Sequence, residues 1–142
     1  MCIRDRDWEL ADIGDPLWDV AAVFQNYLSL WVSVKIENQQ SKHPREEQYK
    51  IENIQPSIQA FWRQYSENRK WTIEETQTKL EKAVRFTALK LIHTCFESTP
   101  YTKHLQPYCA KTLQLSLNLL KYPEDSIQEL LSIQTLNYHA AV

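Results

Sequence analysis

Gly14 is the only glycine in a chain of 142 residues. Glycine reaches positive φ without a steric penalty, and tight hairpins depend on that freedom. An average chain carries about 7% glycine. A sequence so poor in it has few sites for hairpins, so a sheet-rich fold is disfavoured and an all-α fold is expected. The apolar residues then have to show helical spacing, and over most of the chain they do.

Residues 17–34 are apolar almost all round, from Leu17, Trp18, Val20 and Ala21 through Phe24, Leu28, Trp31 and Val34. A helix apolar on every side lies at the centre of a core or in a membrane. The stretch barely reaches the ~18 residues read as a span. Asp19 would cost about 2.5–3.5 kcal/mol near mid-membrane. A buried core helix, the most buried of the protein, is the expectation. It contains Trp18, for which truncation to alanine should cost about 3–5 kcal/mol.

Residues 37–49 are polar, include His43 and Pro44, and read as a surface loop. Pro56 suits the first position of a helix. Ile58, Phe61, Trp62 and Tyr65 follow at i, i+3, i+4 and i+7, a spacing more typical of core than of a ligand platform. Thr72 with Glu75 forms a capping box. The helix it opens should run to about Phe96. Its apolar face is Ile73, Leu80, Val84, Leu91 and Cys95, widened by Ala83, Ala88, Ile92 and Phe96. Lys79, Lys82, Arg85 and Lys90 should face solvent, and His93 sits near the end as a surface residue. Pro100 breaks that helix. Another follows to Lys121, starting at Thr102 or Pro107, and Pro123-Glu124-Asp125 starts a short last one. Five or six helices are expected.

The net charge of −2 offers no clustered basic face for nucleic acid. Cys2, Cys95 and Cys109 are odd in number and lack C-x-x-C spacing, which suggests reduced thiols and a cytoplasmic protein. Met1-Cys2-Ile3-Arg4-Asp5-Arg6 has three charges and no apolar run, so it is not a signal peptide. It reads as a non-native or disordered leader over 1–6.

The stretch Asp7-Trp8-Glu9-Leu10-Ala11-Asp12-Ile13-Gly14-Asp15-Pro16-Leu17-Trp18-Asp19-Val20-Ala21 holds five acids, two tryptophans and the glycine within fifteen residues. Gly14 permits a sharp turn, Asp15 suits an N-cap, and Pro16 suits the first helical position. Asp7 lies on an acidic loop ahead of that turn, as a hard-oxygen ligand for Mg²⁺ would. The stretch resembles the metal-binding loop and following helix of the aminoglycoside phosphotransferase and choline kinase-like superfamily.

That resemblance implies the helical C-terminal lobe of a protein-kinase-like α+β fold. Asp7 then matches the acid that holds Mg²⁺ on the phosphates of ATP. Asp19 matches the helix acid that anchors the catalytic loop, and Asp15 a capping acid. The organisation implied is a metal-binding loop and turn over 7–15, a helical lobe over 16–133 and a tail over 134–142. The family's His-Gly-Asp catalytic loop and its nucleotide lobe have no counterpart in these residues, so no catalytic base is expected among them. The implied acceptor is a small-molecule hydroxyl, with neither nucleic acid nor membrane as partner. Acids and bases balance between Lys42 and Lys82, which gives no support for a polycationic acceptor. The alternative is a non-catalytic helical module for protein interaction.

Overall fold

The computed structural model describes residues 14–40, 50–98 and 104–134. Among them every regular element is helical. The helices are α1 (Leu17–Gln40), α2 (Ile51–Arg69), α3 (Ile73–Ser98), α4 (Pro107–Lys121) and the short α5 (Pro123–Asp125). A π-helical turn, Ser126–Leu130, continues from α5. None of these helices is long and apolar enough to cross a membrane.

The centre of the fold is α3, which packs against α1 on one side and α4 on another. Leu80, Ala83, Val84, Thr87, Ala88, Leu91 and Cys95 are buried along it. Residues 17–34 hold the largest share of buried positions of the described α-helices, Val32 and Val34 included, as expected, but the helix is not enclosed on every side. Leu17, Val20, Ala21, Phe24 and Leu28 are buried on one face of α1. At 100° per residue, Asp19, Asn26 and Leu30 fall on the opposite face, and all three are exposed. Trp18 is 41% exposed and is not a core residue. Apolar composition all round misled the reading because one side of α1 is left uncovered.

Other boundaries shift for local reasons. α1 runs on through Gln40, so 37–40 are helical rather than loop; His43 and Pro44 lie outside the described residues. α2 starts at Ile51, which places Pro56 inside the helix rather than at its first position. Pro56 is exposed, so water can serve the carbonyl that the proline leaves without an N–H partner. Ile73 and Phe96, expected on the buried face of α3, are 55% and 77% exposed. Ile73 is on the buried side but in the first turn, and Phe96 falls on the outer face of α3 with Leu89.

Ile58 and Trp62 of the α2 stripe are buried, with Phe61 and Tyr65 packed partly against them. Phe24 of α1 meets Phe61 and Trp62 with ring centroids 6.2 and 6.3 Å away. Gln55 and Gln59 reach the other way. Gln55 Nε2 donates to the Leu130 carbonyl at 2.9 Å and Gln59 Nε2 to the Ser132 carbonyl at 2.8 Å. These bonds tie α2 to the end of the π-helical turn and the residues just after it.

Candidate functional site

Asp7, the proposed metal ligand, lies outside the described residues. Gly14 is exposed, and open space surrounds the place where a Cβ would stand. Asp15 Oδ1 accepts the Leu17 N–H at 2.9 Å, and the Trp18 N–H donates to the Asp15 carbonyl at 2.9 Å. Asp15 thus caps α1 through both its side chain and its main chain. Its other carboxylate oxygen pairs with Lys82 of α3. The Lys82 ammonium, then the Leu17 N–H, hold the Asp15 carboxyl below its ordinary range, and Lys79 adds to the effect. Nothing in the local pattern of either residue signals this pair, because it joins the start of α1 to a distant turn of α3.

Around that pair lies a small aromatic and cationic surface. The Trp18 and Phe86 rings meet edge to face at 5.4 Å. Lys90 Nζ stands 4.2 Å from the Trp18 ring centre and Lys82 Nζ 5.5 Å from that of Phe86. The lysines expected to point freely into solvent are therefore used, Lys82 in a cap-to-helix bridge and Lys90 over an indole. Asp19 projects from the opposite, solvent side of α1 and does not join Asp15.

Among the described residues no three His, Cys, Asp or Glu side chains cluster so as to hold a metal ion. Asp15 is already engaged by Lys82 and the helix terminus, and Asp19 stands apart from it. The described residues do not make a Mg²⁺ site by themselves. The metal assignment belongs to Asp7 alone and rests on the resemblance.

A cavity of about 800 Å³ opens between the C-terminal end of α2, the start of α3 and the chain after the π-helical turn. Trp62, Trp71, Leu80 and Ile133 supply apolar wall, and Arg63, Glu67 and Lys70 supply charge. Its shape follows from the α2–α3 corner. Lys70 ends α2 in the left-handed region, with φ 54, and its N–H donates to the Glu67 carbonyl. Thr72 then caps α3: the Glu75 N–H donates to Thr72 Oγ1 at 3.2 Å, and the Thr72 N–H donates to Glu75 Oε2 at 2.8 Å.

Trp71, between these two caps, packs back on Trp62 and Tyr65 at 6.1 and 5.7 Å. The aromatic stripe of α2 was legible as core. That Trp71 and Ile133 complete a cavity wall with Trp62 was not legible, because they come from other segments.

Two cations and one acid line the cavity, which suits a neutral or anionic ligand better than a polycation. Comparison of the chain with protein-family models, with curated proteins and with solved structures finds no match.

Proposed function

We propose that this chain is the C-terminal part of a Mg²⁺- and ATP-dependent phosphotransferase acting on a hydroxyl of a small molecule. The observation that carries the reading is the ordered stretch from Asp7 to Ala21. Its second half behaves locally as that reading requires, with Asp15 capping the helix that opens at the Gly14-Asp15-Pro16 turn. The outer face of α1 adds support. Asp19, Asn26 and Leu30 lie there, so the acid that the reading assigns to the catalytic loop stands on an accessible side of the helix. In this reading Asp7 binds the metal, Asp19 positions the loop that carries the base, and the α2–α3 cavity forms one wall of the acceptor site.

The work of such an enzyme is mainly positioning and charge neutralisation. The 142 residues by themselves should transfer no phosphate. The decisive experiment is to determine the reading frame ahead of Asp7 and express it joined to this chain. A His-Gly-Asp segment and ATP-dependent transfer are expected, and Asp7→Ala should lower kcat by roughly 10²–10³. Near-normal kcat in that variant would overturn the metal assignment. Phosphoryl transfer by the 142 residues alone would refute the fragment reading.

A second reading, a non-catalytic helical interaction module, has one observation in its favour. Lys82, Phe86, Leu89, His93 and Phe96 recur along α3 at alternating steps of four and three, the spacing of a helix-pairing seam. Leu89 and Phe96 on it are exposed. Transfer activity in the longer protein would decide against this reading.

A further inference from the structure

α3 and α4 pack against each other, and both bury small side chains. Ala83, Thr87, Ala88 and Cys95 are buried on α3, and Cys109, Thr112 and Ser116 on α4. Two of these three hydroxyls are turned back on their own helices, and the third, Thr112 Oγ1, is buried beside the Cys95 thiol without a backbone acceptor. Thr87 Oγ1 donates to the Ala83 carbonyl and Ser116 Oγ to the Thr112 carbonyl, each at 2.8 Å. Groups satisfied within their own helix make no demand on the neighbour, so the two backbones can come close.

Where the end of α3 meets the start of α4 the two cysteines face each other. Cys95 Sγ lies 3.9 Å from the Cys109 carbonyl, and Cys109 Sγ lies 3.9 Å from the Cys95 carbonyl. This reciprocal contact puts each sulfur against the other residue's backbone. A disulfide needs that closeness, with the Cα atoms about 4.4–6.8 Å apart. Both residues are 3% exposed or less.

We propose that Cys95 and Cys109 are an oxidisable pair that closes into an intramolecular disulfide and locks the end of α3 to the start of α4. The oxidant is a small organic disulfide. One cysteine thiolate attacks a sulfur of that molecule and expels a thiolate. The second cysteine, after losing its proton, attacks the mixed disulfide and expels the other thiolate. One Sγ–Sγ bond forms, and the two S–H protons pass by way of solvent to the two expelled thiolates, so the small disulfide ends as two thiols.

The burial that makes the pair specific also makes it slow. Desolvation, then the neighbouring Cys109 thiol, pushes the Cys95 thiol up to about 11. A rise of that size leaves roughly 100-fold less thiolate at neutral pH than an ordinary cysteine has. The exchange therefore proceeds through local opening of the helix ends, and once closed the bond is shielded from reducing thiols.

The test uses the full chain carrying Cys2→Ser, which removes the third cysteine from the reaction. The folded protein is incubated with oxidised glutathione without denaturant, alkylated, digested and mapped by mass spectrometry. The expected product is a monomer with one linked peptide pair, Cys95 to Cys109, and an unfolding midpoint raised by roughly 5–10 °C.

Two further results are expected: Cys95→Ala abolishes the linked pair, and the rate of closure rises with pH. Glutathione left attached at either cysteine would overturn the proposal. So would disulfide-linked dimers, or closure only after unfolding in denaturant. The mapping of the Cys2→Ser protein stands even if Cys95→Ala fails to fold.

Discussion

The two ends of α3 are built on opposite principles. At its start the neighbours are large: Trp62, Tyr65 and Trp71 stand between α2 and α3 and leave a cavity of about 800 Å³. At its other end the neighbours are small, and Cys95 and Cys109 touch across a closed seam. The hydrophobic effect favours burial at both ends, but side-chain size sets the gap between helices. Bulky aromatics meeting at a corner prop elements apart and create space for a ligand. Thiols, hydroxyls and methyl groups let backbones approach and leave none.

The contrast can be broken by changing side-chain size at either end. Trp62→Ala removes a ring that is 3% exposed and meets Phe24, Tyr65 and Trp71. It should lower stability by about 3–5 kcal/mol, read by denaturant unfolding. Ala88→Leu forces bulk into the interior of α3, where alanine is fully buried. A loss of about 1–3 kcal/mol is expected in the same measurement. If Ala88→Leu proved neutral, the close approach of the packed helices would be wrong.

Smaller effects sharpen the picture of the open end. Trp18→Ala should cost about 1–2.5 kcal/mol, the scale of a partly exposed ring pair plus a cation–π contact and below that of a core aromatic. Thr72→Ala removes one half of the capping box and should cost about 1 kcal/mol. Asp19→Ala in these 142 residues should shift stability by less than about 0.5 kcal/mol, since the side chain is exposed.

Asp15 gives a pH signature to the start of α1. Its folded pKa lies below the ordinary 3.8. Its stabilisation is therefore fully present above that value and is lost as pH falls through the lower, folded pKa. With both partners partly exposed the pair contributes little, about 0–1 kcal/mol. Acid unfolding of the Asp15→Asn variant should lack this component.

Much of the architecture was legible because it is written locally. The capping box at Thr72 and the short helix at Pro123 depend on residues within one turn, and Pro107, one of the two starts open to α4, is the one used. Features that depend on distant partners were not. The exposure of Trp18 is set by what covers α1, the role of Lys82 by where Asp15 arrives, and the cavity by Ile133 lying near Trp71. Of the candidate site, the helix cap could be read from the sequence. The pairing of that cap with α3 could not, since a lysine facing solvent and a lysine facing an acid share the same spacing.

The two glutamines of α2 carry a consequence for the order in which the protein is made. α2 meets α1 through a few aromatic contacts, and Gln55 and Gln59 are bonded to carbonyls more than seventy positions further along the chain. A ribosome delivers those carbonyls only after α3 and α4. While α3 and α4 are emerging, α2 has its apolar stripe but not its anchor, and it can settle only when Leu130 to Ser132 leave the exit tunnel. A premature stop ahead of Glu129 would thus release a chain with its second helix untethered and Trp62 exposed to chaperones and proteases.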